Sequence, residues 1–244
     1  MMDPKRGKFT IKTFPKIRTL ITDPLNASKS KNFVSGVFEL NVSKIRQVSK
    51  ANNVTFMSTI IFNISRAIEK HPKFNSYRKG KNLVHFDEVD ISIMVERVVE
   101  SERIPLPYVL RSANTKSLPA IDEELKLART GELEALYLHK DMRIYLALPK
   151  LLRVIFWKIL IRNPFMFKEK LGTVAVSALH SKGFSKFNFI PRTPYTTTIG
   201  LGGIFKDQDE TVKMKLTICV DHDIIDGMDA IKFFRTLSDG SNQG

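Results

Sequence analysis

The last third of the chain carries three runs of β-branched and apolar residues, each long enough for one strand: Thr173 to Ser177, Thr196 to Gly202 and Val212 to Ile218. In the third run Lys213 and Lys215 alternate with Met214 and Leu216, the pattern of a strand with one wet face. A helical pattern closes the chain near Gly227 to Leu237. Helical and strand segments also interleave earlier, which with 244 residues suits one large α/β or α+β domain ahead of two small ones.

Residues 1–31 hold few periodic apolar positions and read as an N-terminal arm with a short helix. Asn32 to Val42 reads as a strand, and Ser43 reads as the N-cap of the helix after it. A second helix is predicted over Thr55 to Lys70, where Met57, Ile60, Ile61, Ile64 and Ile68 form one stripe. It stops at His71-Pro72, since a residue before proline is pushed out of the α region. Leu83 to Phe86 and Val89 to Val95 read as strands, and Leu118-Pro119 opens a further helix whose acidic residues suit its N-terminus.

The segment from Ile144 to Ile161 is densely apolar, yet Pro149, Lys150, Arg153 and Lys158 interrupt it. Those residues argue against a transmembrane span. A buried helix or an inter-subunit contact is one reading. The other is an amphipathic helix lying on a membrane or covering an acyl-chain tunnel.

The formal net charge of +14 favours an anionic partner: nucleic acid, a membrane surface or a phosphorylated small molecule. A solvated basic surface explains the same charge. The sequence lacks a zinc finger, an obvious helix-turn-helix or the aromatic signature of an RNA-binding sheet, which disfavours nucleic acid. Cys219 is the single cysteine, so an internal disulfide and a cysteine-rich metal site are excluded. Its apolar setting reads as a buried core position rather than a reactive thiol. The start shows no secretory signal pattern, and a cytoplasmic location is expected.

His222 stands where the third strand pattern ends, with Asp221, Asp223, Asp226 and Asp229 around it. Such a junction can hold a reactive side chain at a cleft, and nearby carboxylates can orient an imidazole. A solvated surface turn fits the same spacing. No calcium-loop spacing or second nearby histidine supports a metal site.

Asp221-His222-Asp223-Ile224-Ile225-Asp226-Gly227 resembles the DHxxxDG signature of the catalytic domains of dihydrolipoamide acyltransferases, the core subunits of 2-oxoacid dehydrogenase complexes. Chloramphenicol acetyltransferase shares the shorter HxxxDG form. Further resemblances follow in order: Glu69 to Asn75 to the end of a family helix, Asp87 to Val95 to its "VDIGVAV" strand, Ser117 to Ile121 to a helix start, and Gly172 to Ser177 to its "GGTFTIS" strand. The resemblance spans most of residues 30–240.

It implies a two-layer α/β sandwich with a mixed sheet, and a single catalytic domain over 1–244 with 136–170 as an apolar, basic insertion. It implies acyl transfer between coenzyme A and a thiol or hydroxyl acceptor. His222 would be the general base, Ser177 the oxyanion donor, and Asp226 would hold the local geometry. Active sites would lie between subunits of a homotrimer. No lipoyl domain is recognisable, so a free-standing form without a covalent lipoyl group is expected. Asp223 stands where the family commonly has arginine, and the stretch after Ser177, including His180, departs from the family's glycine-rich pattern. A non-catalytic oligomeric scaffold of the same fold, or a basic nucleic-acid- or membrane-surface-binding protein, is the alternative.

Overall fold

A computed structural model describes residues 7, 9–99, 102–130, 144–179 and 185–242. The chain builds a six-stranded mixed sheet in the order β1-β8-β7-β6-β4-β5, and a separate hairpin of β2 and β3. The strands are β1 (Phe33–Asn41), β2 (Ser76–Lys79), β3 (Asn82–His85), β4 (Ile91–Val99), β5 (Glu102–Leu110), β6 (Val174–Ala178), β7 (Thr197–Lys206) and β8 (Val212–Asp221). The helices are α1 (Thr19–Ala27), α2 (Ser43–Ala51), α3 (Phe56–Lys70), α4 (Leu118–Thr130), α5 (Lys150–Arg162), α6 (Pro164–Leu171) and α7 (Gly227–Asn242). The expected α/β architecture is present.

The period-2 pattern of β8 splits the sheet into two faces. Met214, Leu216, Ile218 and Val220 enter the main core with Ile60, Ile61, Ile64 and Ile68 of α3, and with Phe233 and Leu237 of α7. Phe74 stacks on Phe233 with ring centroids 4.3 Å apart. The opposite face carries a smaller core, in which Trp157, Leu160 and Phe167 of α5 and α6 meet Tyr77, Ala175 and Tyr195.

Thr55 caps α3 by accepting a hydrogen bond from the Ser58 amide. Ser43 does not act as the expected cap. Its hydroxyl instead accepts from the backbone N–H of Val212, tying the start of α2 to β8. Acidic residues are also absent from the first turn of α4. Asp122 serves another purpose: it is buried and accepts from the Thr55 amide and the Ser58 hydroxyl, joining α4 to the start of α3.

β5 is a strand that the pattern of the sequence conceals, because Pro105 and Pro107 read as breakers. It is the edge of the sheet, where every other N–H faces away from the ladder and proline is tolerated. At β7, residues 185–191 return over the strand so closely that a side chain at Gly203 would place its Cβ 2.3 Å from the carbonyl oxygen of Ser185. The Gly203 amide donates to the Phe187 carbonyl at 2.9 Å, fixing that strap.

Candidate active site

His222 follows directly on β8, and the backbone holds it from both sides. The Asp221 amide donates to the Thr196 carbonyl at 2.9 Å, and the His222 amide donates to the Asn32 carbonyl at 2.7 Å. Ile224 and Ile225 then turn back, their amides donating to the Asp221 carbonyl while their side chains are buried. This tight turn leaves His222 exposed on an open cleft of about 660 Å³. Asn32, Ser35, Pro191, Arg192 and Cys219 also line the cleft.

The carboxylates around His222 have partners. Asp221 is buried with Lys31 Nζ 3.3 Å away, and burial lowers the pKa of that ammonium against the pull of Asp221. Asp223 accepts from Asn32 Nδ2 at 3.0 Å and from Arg78 Nη1 at 3.1 Å. These bonds, with the Arg78 charge, hold its carboxyl below the usual range. The reversed charge beside His222 is thus answered by an arginine from β2. Asp226 and Asp229 form a reciprocal cap at the start of α7: the Asp229 amide donates to Asp226 Oδ1 at 2.8 Å, and the Asp226 amide to Asp229 Oδ2 at 3.4 Å. Lys73 adds an ion pair to Asp229 at 2.8 Å.

Cys219 is buried and accepts from the Ser35 hydroxyl at 3.2 Å; burial pushes its thiol pKa up, away from thiolate chemistry. Arg192 is exposed on the cleft wall and has no ion-pair partner among the described residues. Among the described residues, no group of three or more histidine, cysteine or carboxylate side chains is placed to hold a metal ion.

Ser177 lies on β6, partly exposed, and its hydroxyl has no hydrogen-bond partner among the described residues. Strand register separates it from His222 within the chain. Ser177 pairs with Gly200 on β7, and Gly200 with Thr217 on β8, five residues short of His222. Two strand spacings and five residue rises put the two Cα atoms about 19 Å apart. One chain cannot bring both to a single reacting carbon. His180 and His139 lie outside the described residues. His71 shares a 2.7 Å hydrogen bond with Thr236 and packs edge-on against Phe233, a structural placement.

Lys31, Asn32, Arg78 and Arg192 have no local signal in the sequence. Lys31 and Asn32 reach the site because Phe33 pairs with Asp221 across β1 and β8. Arg78 arrives on the hairpin.

The relatives of the chain identify its fold and its family. The model of the 2-oxoacid dehydrogenases acyltransferase (catalytic domain) family matches residues 8–142, and the chain belongs to that family. That match covers more than half of the chain and ends before Ser177 and His222. Among solved structures, a dihydrolipoamide acetyltransferase of Azotobacter vinelandii aligns with a TM-score of 0.69 at 17% identity, covering 98% of this chain and 94% of the other. The truncated catalytic core of a 2-oxoacid dehydrogenase multienzyme complex from Thermoplasma acidophilum gives 0.67 at 16% identity, covering 97% and 99%. A chloramphenicol acetyltransferase gives 0.52 at 14% identity, covering 95% and 97%. No curated protein matches the sequence.

Proposed function

We propose that this chain transfers an acyl group between coenzyme A and a thiol or hydroxyl acceptor, with His222 as general base. The observation that carries this reading is an imidazole held by backbone bonds on both sides of its turn and exposed to a cleft, in a chain of this family. The His222 ring takes the acceptor's proton as the acceptor attacks the thioester carbonyl. The resulting tetrahedral oxyanion collapses, the carbon–sulfur bond breaks, and the departing CoA thiolate takes the proton back from the imidazolium. A hydroxyl donating to the oxyanion lowers that barrier by about 3 kcal/mol. Ser177 is the donor in this reading, supplied by a neighbouring subunit because its own chain places it too far from His222. Asp226 acts through its cap on α7, fixing the turn that carries the histidine.

The studied mechanism of the Azotobacter enzyme names a serine, a histidine and an asparagine four residues beyond the histidine. His222 and Asp226 repeat the interval between that histidine and asparagine, with aspartate in place of asparagine, and Ser177 precedes them as the serine does there. Arg192, on the same cleft and without an ion-pair partner among the described residues, is the proposed contact for CoA phosphates. The assembly is a homotrimer in this reading. Acyl-CoA turnover followed by thiol trapping over a panel of acceptors tests the proposal. An acceptor-dependent rate that falls at least about a hundredfold in His222→Ala supports the base. An unchanged rate in that variant removes it.

A further inference from the structure

The helix α5 presents two unlike faces. Arg153, Trp157 and Leu160 point inward and are buried; Arg153 Nε pairs with the buried Asp23 of α1 at 2.8 Å, and Trp157 Nε1 donates to Tyr145 at 2.9 Å. The outward face is apolar. Leu151 is 70% exposed, Ile159 52%, and Leu152, Ile155 and Phe156 are exposed as well. Leu151, Ile155, Ile159 and Leu152 span about 100° of the helix surface. Lys158 and Arg162 border this stripe, and both are exposed. A soluble surface seldom leaves such a contiguous stripe open without a partner.

The charge around the stripe selects the partner. From Ile144 to Lys168 the sequence contains no aspartate or glutamate. The stretch from Gly7 to Thr22, leading into the α1 helix that packs against α5, contains none either, while Lys12, Lys16 and Arg18 lie within it. The nearest carboxylate on α1, Asp23, is buried and already paired. A second copy meeting this face with its own would set like charges together. No helix among the described residues is long and apolar enough to cross a membrane, and α5, about 20 Å long, is too short to do so.

We infer that the outer face of α5 docks on an anionic lipid surface, with Leu151, Leu152, Ile155 and Ile159 entering the acyl boundary and Lys158 and Arg162 resting on the headgroups. The inference goes beyond acyl transfer and stands whether or not that reading does.

The test is flotation of the full chain with vesicles of phosphatidylcholine alone and with about 30% phosphatidylserine, at low and high salt, beside sedimentation without lipid. Binding is expected on the anionic vesicles and is expected to weaken as salt rises. Lys158→Glu with Arg162→Glu is expected to lower it by about fivefold for each cation lost. Ile155→Asn with Ile159→Asn is expected to lower it at least about tenfold. All four positions are exposed, and thermal melts of both variants establish that they fold. Absence of binding to anionic vesicles at low salt overturns the inference, as does equal binding to both vesicle types. Unchanged lipid binding by the apolar variant, with a lower oligomeric mass, assigns the face to a second copy instead. Acyl-CoA turnover on soluble acceptors is a separate readout, and its loss or retention has no bearing on lipid docking.

Discussion

The Arg78 guanidinium lies 3.1 Å from the Asp223 carboxylate, joining the β2–β3 hairpin to the residue beside His222. Both side chains are substantially exposed, so the pair adds little stability, on the order of 0.5 kcal/mol. Its effect is local: it neutralises a carboxylate next to the proposed base. Arg78→Ala is therefore expected to lower kcat/KM by about three- to tenfold while the thermal midpoint barely moves. Adding Asp223→Ala is expected to restore part of the rate. A double-mutant cycle in which the two losses simply add contradicts the coupling.

Asp122 is the acid-sensitive joint of the fold. Burial alone would raise its pKa, but the Lys126 ion pair and the bonds from Thr55 and Ser58 outweigh burial and hold it at about 2. A carboxyl held below its unfolded value stabilises the native state above the unfolded pKa, and that contribution is lost as pH falls through the folded pKa. Stability is thus expected to decline between about pH 4 and pH 2 as Asp122 protonates. Asp122→Asn is expected to cost about 2 kcal/mol at neutral pH and to flatten this decline. Urea melts across that range check both outcomes.

The strap over β7 makes Gly203 a packing requirement. Gly203→Ala is expected to destabilise the chain by about 1–3 kcal/mol, since the new methyl meets the Ser185 backbone. Gly240→Ala is the control. A Cβ there meets nothing within 4 Å, and the site is helical, so the change is expected to add up to about 1 kcal/mol. Denaturant midpoints that move together in the two variants would contradict the assignment.

Elements with a clean period were legible in the sequence. The isoleucine stripe of α3 and the alternation of β8 each dictate one buried face, and both elements formed close to their expected limits. β5 was illegible because proline signals breakage locally, whereas its tolerance depends on lying at a sheet edge, which is a property of strand order. For the same reason the motif around His222 could be read, but Asn32 and Arg78 could not. Their proximity is fixed by the pairing of β1 with β8 and by the hairpin, at separations of 191 and 145 residues. Ser43 shows the reverse case, a strong local cap signal overridden when its hydroxyl found a strand amide.

The segment Ile144–Ile161 allowed two readings from sequence, a buried helix or inter-subunit contact, and an amphipathic helix lying on a membrane or covering an acyl-chain tunnel. In α5 Arg153, Trp157 and Leu160 go inward, and Leu151, Ile155 and Ile159 stay out. Periodicity alone is ambiguous here because nearly every position is apolar, so only the partners Asp23 and Tyr145 decide which side turns in.

The central claim is that His222 and Ser177 act together from different subunits. It is tested by separately inactivating His222→Ala and Ser177→Ala, then dissociating, mixing and reassembling the two proteins in equal amounts. In a trimer with random mixing, about one site in four joins an intact His222 to an intact Ser177 from its neighbour, so about a quarter of wild-type activity is expected to return. If each variant alone is inactive and the verified mixed assembly stays inactive, the shared site is contradicted.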